Sequence, residues 1–444
     1  MKNILIIFFC WVTVTTAFSQ NYKEIIIQDV PFQMNPIKEY IYPEKVFPIT
    51  RYGAKVGGKK LCTKAIQRAM EACNKAGGGY VLVPKGIWVT STVHFQSNCN
   101  LKLEEGAVLE FTDNPEDYLP AVHTTWEGVE CYNYSPLLYA YNCENIAISG
   151  KGKLAPRMDF WRTWFSRPSS HIEATRKLYT WCSENIDIKE RQLGDTLSRM
   201  RPHLIQFNRC KNIVLEDFSI KESPFWTIHV YMCDGGVVRG LNVTAHGHNN
   251  DGIDIEMSKN ILVENCSFDQ GDDGVVIKSG RNQDAWRLNC PTENIVIRNC
   301  VVHEGHTLLG IGSELSGGIR NIYLCNCCVD NHAYRLLFVK TNHRRGGFVE
   351  NIWVKNVKGK TCQEIFTLLS DVLYQWKDFP DYETRITKID GLHVENIEVD
   401  SCEQICNLQG DERMPVKNVS IQNVKTKHTN KFATFKNIDS IEIE

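Results

Sequence analysis

A seven-residue unit recurs along the second half of the chain, and a recurring unit of that kind forces neighbouring segments to stack on one another. The unit is Asn, aliphatic, any, aliphatic, any, Asn, apolar. Copies start at Asn212, Gly235, Asn260, Asn294, Asn321, Asn351, Gly391 and Asn418. Its second position holds Ile213, Gly236, Ile261, Ile295, Ile322, Ile352, Leu392 and Val419, and its fourth is aliphatic throughout. Its sixth is Asn in six copies, Asn265, Asn299, Asn326, Asn356, Asn396 and Asn423. Alternating aliphatics put one strand face inward. Asn then supplies a corner, because it tolerates left-handed backbone and bonds locally. Stacked copies bury the inward row as one continuous core.

The spacing between copy starts varies from 23 to 40 residues while the unit persists. The surplus residues must therefore leave the coil as loops, and loops on one side build a cleft. Earlier units are expected at Asn100-Leu101-Lys102-Leu103 and Asn145-Ile146-Ala147-Ile148, and residues 154–202 read as an insertion. The aromatics of that insertion are expected mainly to pack, or to line a sugar site. Thr63 to Ala76 has helical apolar spacing and runs into Gly77-Gly78-Gly79, so it is expected to cap the N-terminal end. The fold class that follows is an all-β solenoid, a parallel β-helix with an N-terminal capping helix. The domain plan is a leader (1–19), an extension (20–46) and one β-helical domain (47–444).

The leader resembles a signal peptide: Lys2, an apolar stretch over residues 4–14, and small residues in Thr16-Ala17-Phe18-Ser19. Export to the periplasm or the medium is the expectation, with no membrane span once the leader is removed. A formal charge of -2, with no long run of one sign, argues against nucleic acid as a partner. Export would favour disulfides among the 18 cysteines, but losing Cys10 with the leader leaves an odd 17. Cys266, Cys300 and Cys327 occupy the seventh unit position and are expected inside the core as small hydrophobes. No paired spacing suggests a metal site, and no cofactor is expected.

Three polar clusters fall in consecutive coils: Asn249-Asn250-Asp251-Gly252-Ile253-Asp254, Gln270-Gly271-Asp272-Asp273-Gly274 and Gly305-His306-Thr307. Each alone is a good turn. Asp272 and His306 both sit 12 residues after their copy starts, and Asp251 sits 16 after its own. Similar phase on stacked coils gathers carboxyls and an imidazole on one face. Crowded like charges are costly and mark function. Glycoside hydrolysis uses such a set: one carboxylic acid protonates the leaving oxygen, and a carboxylate activates water.

The chain resembles glycoside hydrolase family 28, the polygalacturonase family of the pectin-lyase-like right-handed β-helices, from about Phe47 to the C-terminus. Phe47 to Ala54, Val81-Leu82-Val83-Pro84 and the three polar clusters carry the resemblance. Leu103 to Ala107, Trp126-Glu127-Gly128, Arg201-Pro202 and Ile311 to Glu314 are similar to bacterial exo-acting members. The resemblance implies Asp272 as general acid, Asp251 and Asp273 as holders and activators of water, and His306 as tuner of the acid. It also implies inversion at the anomeric carbon, and release of α-linked galacturonic acid from pectic glycans; a monomer is the expectation. Asn249, Arg201, Trp126 and Glu127 are implied substrate contacts. So is Lys340, the last residue of the family's Arg-Ile-Lys motif.

That motif is here Phe338-Val339-Lys340, and loss of its Arg removes a bidentate carboxylate clamp. A neutral leaving-group sugar such as rhamnose is therefore expected, with Phe338 stacking on a sugar face. Arg344 or Arg345 could instead restore the charge. Two alternatives stand beside this reading. One is a lyase on the same architecture, with the three aspartates holding calcium. The other is a noncatalytic carbohydrate-binding β-helix.

Overall fold

The computed structural model describes residues 22–373 and 383–444. The expected signal peptide lies outside them. The core is a right-handed parallel β-helix with three strand faces. On the first face, Lys211–Glu216, Asp234–Arg239, Lys259–Glu264, Thr292–Arg298 and Ile319–Cys325 pair in parallel. One register row runs Ile213, Gly236, Ile261, Ile295, Ile322, Ile352, Leu392, Val419, the second position of every copy. Ile261, Ile295, Ile322 and Ile352 are wholly buried.

The corners explain the Asn spacing. Asn260, Asn294, Asn321 and Asn351 all have φ between 57° and 59°, and Asn265, Asn299, Asn326 and Asn356 lie at 54–56°. Both unit Asn positions are thus left-handed corners. Their side chains form ladders up the stack. Asn321 donates to Asn294 at 3.0 Å and accepts from Asn351 at 3.1 Å. A second ladder joins Asn326, Asn356, Asn396 and Asn423. One earlier copy starts elsewhere than expected. Asn145 bonds Asn98, and Asn100 pairs with Ala147. A two-residue shift keeps Leu101 and Leu103 inward, so the apolar pattern cannot detect it.

The helix Thr63–Lys75 buries Ala65, Ile66, Ala69, Met70 and Cys73 against the first coil, as expected of a cap. The N-terminal extension forms an antiparallel pair, Tyr22–Ile25 with Ile37–Tyr40. It straps across the outside of the first face, where Ile37 packs on Val237, Leu262 and Val296. All seventeen described cysteines are free thiols, and Cys266, Cys300 and Cys327 are buried in the core. An expectation of disulfides is not met among them.

Two excursions rise beside the third face. The segment after Lys153–Pro156 carries the helices Asp159–Arg162 and Ser169–Ser183. Trp161, Trp164 and Tyr179 pack there as buried side chains. A hairpin, Val122–Trp126 with Val129–Asn133, stands beside it.

Asn321→Ala forces an alanine into left-handed backbone and removes two ladder bonds, a cost of roughly 2–3 kcal/mol. Asn321→Gly loses only the bonds. Denaturant midpoints should fall further for the alanine variant. Equal falls would show that the corner conformation contributes nothing.

Candidate active site

The three polar clusters meet at the corner between the second and third faces. Strands Ser267–Gln270 and Val275–Lys278 flank the turn Gly271-Asp272-Asp273-Gly274. Its glycines allow close stacking: a Cβ on Gly271 would stand 2.5 Å from Gly247 N, and one on Gly274 would stand 2.7 Å from Val302 Cγ2. His306 N–H donates to Asp272 O at 2.8 Å, and Gly252 N–H donates to Asp273 O at 2.9 Å. Asp251 therefore stands level with Asp273, and Asp272 with His306. The longer turn before Ile253 absorbs the extra residues in Asp251's spacing.

Exposure is graded across the corner. The side chain of His306 is 47% exposed and that of Asp272 20%, whereas Asp251 and Asp273 are 4% and 3% exposed. His306 Nδ1 lies 3.1 Å from Asp272 Oδ1. Thr307 Oγ1 donates to Asp273 Oδ1 at 2.7 Å, and Lys340 Nζ lies 3.6 Å from Asp273 Oδ2. Thr307, beside His306 in the third polar cluster, thus bonds one of the acids.

The hydrogen bond to Asp272 raises the His306 pKa, against the effect of its burial. For Asp272, burial pushes upward, but the His306 bond and charge outweigh it and hold the carboxyl low. The two share one proton as a unit. The strongly raised carboxyls are Asp251, Asp254 and Glu256, through burial first; Asp254 and Asp272 add repulsion at Asp251, as Glu256 and Asp273 do at Asp254, and Glu256 is pushed up to about 8. Asp254 lies within the first polar cluster, but the sequence assigned it no role there.

Another buried charge sits beneath them. Lys278 Nζ lies 3.1 Å from Glu314 Oε2, 3.5 Å from Asp254 Oδ1 and 3.9 Å from Asp251 Oδ2. It also lies 4.2 Å from the Trp226 ring centroid. In sequence Lys278 is an outward strand residue like many surface lysines. Asp272, Asp273 and His306 offer ligand atoms within 4.8 Å of one another. Lys340 lies beside Asp273, and His306 bonds Asp272, so each acid already has a basic partner.

Other expected contacts fall into a wall beside the corner. Trp126 is buried, stacked on Phe225 at 4.1 Å. Arg201 is fully buried and donates to His248 O, Pro224 O and Asn249 Oδ1. It holds the Asn249 turn in place. Glu127 accepts from Tyr179 Oη and pairs with Arg281 at 3.3 Å. Arg281 N–H donates to Gly128 O, and Glu130 takes Arg209 and Arg287. Hairpin, helix Ser169–Ser183 and helix Asn282–Leu288 are thereby locked over the third face on its N-terminal side, covering Gln206, His229 and Glu256.

Two expectations are corrected. The Phe338 ring is 4% exposed and the Arg335 guanidinium lies over it at 4.4 Å, so its face is not open to a sugar. Tyr334, 38% exposed with its ring 5.1 Å from that of His306, is the exposed aromatic at the corner. Arg345 is buried on Ser313 O and Asn282 Oδ1, 3.9 Å from Glu314, so it does not replace the lost Arg in the cleft. Arg344 lies in the turn after Lys340, its N–H on Asn342 Oδ1.

A parallel β-helix with acids and an imidazole gathered at one corner holds the groups that glycoside hydrolysis uses. Residues 181–442, more than half of the chain, match the profile of glycosyl hydrolases family 28, and the chain belongs to that family. It is similar over 92% of its length to a hyperthermoactive exopolygalacturonase from Thermotoga maritima, at 32% identity and a TM-score of 0.85, covering 93% of that chain. An exo-poly-alpha-D-galacturonosidase from Dickeya chrysanthemi is 28% identical over 73% of this chain, which spans 57% of that relative. A probable polygalacturonase from Vitis vinifera is 25% identical over 84% of this chain and 72% of its own length.

Because Asp251 and Asp254 hold protons more tightly when folded than when unfolded, stability falls as pH rises above about 4 through their raised values. Asp254→Asn removes one of the two groups. It should raise the melting temperature at neutral pH and flatten its decline with pH. A variant that melts lower at pH 7 with an unchanged slope would contradict the assigned crowding.

Proposed function

We infer that the chain is an exo-acting, inverting hydrolase releasing α-linked galacturonic acid from the end of a pectic chain. The observation that carries the reading is the graded corner: an accessible Asp272–His306 pair above buried Asp251 and Asp273. Similarity to proteins named polygalacturonase and exo-poly-alpha-D-galacturonosidase supports the substrate class. In this reading Asp272 takes the shared proton and gives it to the leaving oxygen. Asp251 and Asp273 hold a water and accept its proton on the opposite side. After each turnover the solvent-exposed His306 takes up a new proton for the pair, while the proton taken from water leaves Asp251 and Asp273 for solvent.

The wall of Trp126, Glu127, Tyr179 and Arg281 supports exo action, because it closes one side of the corner. The other side runs along stacked coils past Lys340. There a cavity of ≈ 370 Å³ is lined by His343, Ser370, Asp371, Gln409, Asp411 and Arg413. The body of the glycan lies on this side. Lys340 serves a sugar carboxylate and Tyr334 offers a ring face. Arg335 pairs with Glu364 at 3.2 Å, which tempers its charge. That supports a neutral leaving-group sugar such as rhamnose. The leader expected at the N-terminus supports action outside the cytoplasm. Among the described residues, no helix is long and apolar enough to cross a membrane.

Product analysis on a panel of pectic glycans tests the reading. Monomeric galacturonic acid is expected, with Asp272→Asn slower by about a hundredfold to ten-thousandfold. Galacturonosyl-rhamnose should turn over faster than a galacturonate dimer. Unsaturated products would mean elimination instead, and internal cleavage would refute the blocked end.

A further inference from the structure

Lys278 has no part in the chemistry described so far, yet it is the buried cation nearest the deep acids. Its strand, Val275–Lys278, leaves the turn that carries Asp272 and Asp273. The ammonium lies within 3.9 Å of carboxylate oxygens from three segments: the turn at Asp251, the strand Ile253–Glu256 through Asp254, and Glu314 beyond Val301–Ile311. Asp251 Oδ1 and both oxygens of Asp254 have no hydrogen-bond partner. Two buried carboxyls thus face each other with little but this ammonium to offset their charge.

We propose that Lys278 is a positioning residue, whose ammonium keeps one negative charge in the Asp251–Asp254 pair so that Asp251 can act as base on water. The inference rests on the hydrolytic reading above. Two buried carboxyls without a cation would both stay protonated. With Lys278 beside them, one proton and one charge are shared across the pair. Carboxyls facing Lys278 are Asp251, Asp254, Glu256, Asp272, Asp273 and Glu314. His229 also faces it, and Arg201 faces Asp251 from the wall. Arg281, Arg345 and Lys340 face Glu314, which they hold well below its usual range together with Lys278. Glu314 is therefore anchored by several cations, whereas Asp254 depends on Lys278. That asymmetry directs the effect of removing Lys278 to the Asp251–Asp254 pair.

The test is the pH dependence of kcat/KM for Lys278→Met and Lys278→Arg, with folding checked by circular dichroism. Without the cation, the base needs a higher pH to lose its proton. The acidic limb of the Met variant should move up by about 1–3 pH units. Its rate should recover toward wild type at the alkaline end, with KM little changed. Lys278→Arg should keep the limb near its original place. If the Met variant does not fold, Lys278→Met/Asp254→Asn is compared with Asp254→Asn alone, so that the pair differs only in the lysine. The limb should then lie higher in the double variant. Coincident limbs in a folded variant overturn the proposal. Asp272→Asn and Asp251→Asn run alongside: full activity in either would overturn the hydrolytic assignment itself, a different result from an unmoved limb.

Discussion

The left-handed corner, made repeatedly by Asn, is the constraint on which the molecule depends. Each such corner turns the chain without interrupting the inward row, and each passes its side-chain amide to the next coil. Stacking then fixes residues of neighbouring coils at the spacing of adjacent strands, roughly 4.8 Å. The corner at Asp272 inherits that spacing. Short turns from three coils can only stack with their polar residues together, so the fold assembles the acids without any long-range loop closure.

That same stacking imposes the electrostatic problem. Asp251, Asp254, Asp272 and Asp273 arrive within a small volume, three of them buried. The protein answers with partners of two kinds. At the rim, His306 forms a proton-sharing pair with Asp272. Below, Lys278, Lys340 and Thr307 engage the deep acids from the following strands. Rim and floor consequently titrate in opposite directions, Asp272 low and Asp251 high, although they sit in adjacent coils.

How much of this could be read in the sequence follows from periodicity. The second position of the unit predicted the register row from Ile213 to Val419 without error, because an aliphatic at fixed phase can only face inward. The capping helix was legible for the same reason. Asn98 was missed in favour of Asn100, since a shift of two leaves every face unchanged. The hairpin Val122–Asn133 belongs to no repeat, and so the wall was seen only through the later insertion. Lys278 was hidden differently, and Asp254, although visible in its cluster, was assigned no role. Both occupy outward strand positions, where sequence cannot distinguish solvent from a covering wall. Phe338 was read as open for the converse reason: nothing in the chain order says that Arg335 folds over it.

The wall has a consequence for traffic. Arg191–Asp284 and the ion pairs of Glu130 tie hairpin and helices into one block, with most of those charges buried. On the reading proposed here, the terminal sugar is cut against that block, with the remaining glycan filling the approach past Lys340. The freed monosaccharide is then trapped behind the chain it came from. It can leave only after the polymer has let go, so each catalytic cycle ends in complete dissociation. On that reading the site would work distributively, shortening many chains by one sugar each rather than travelling along a single one.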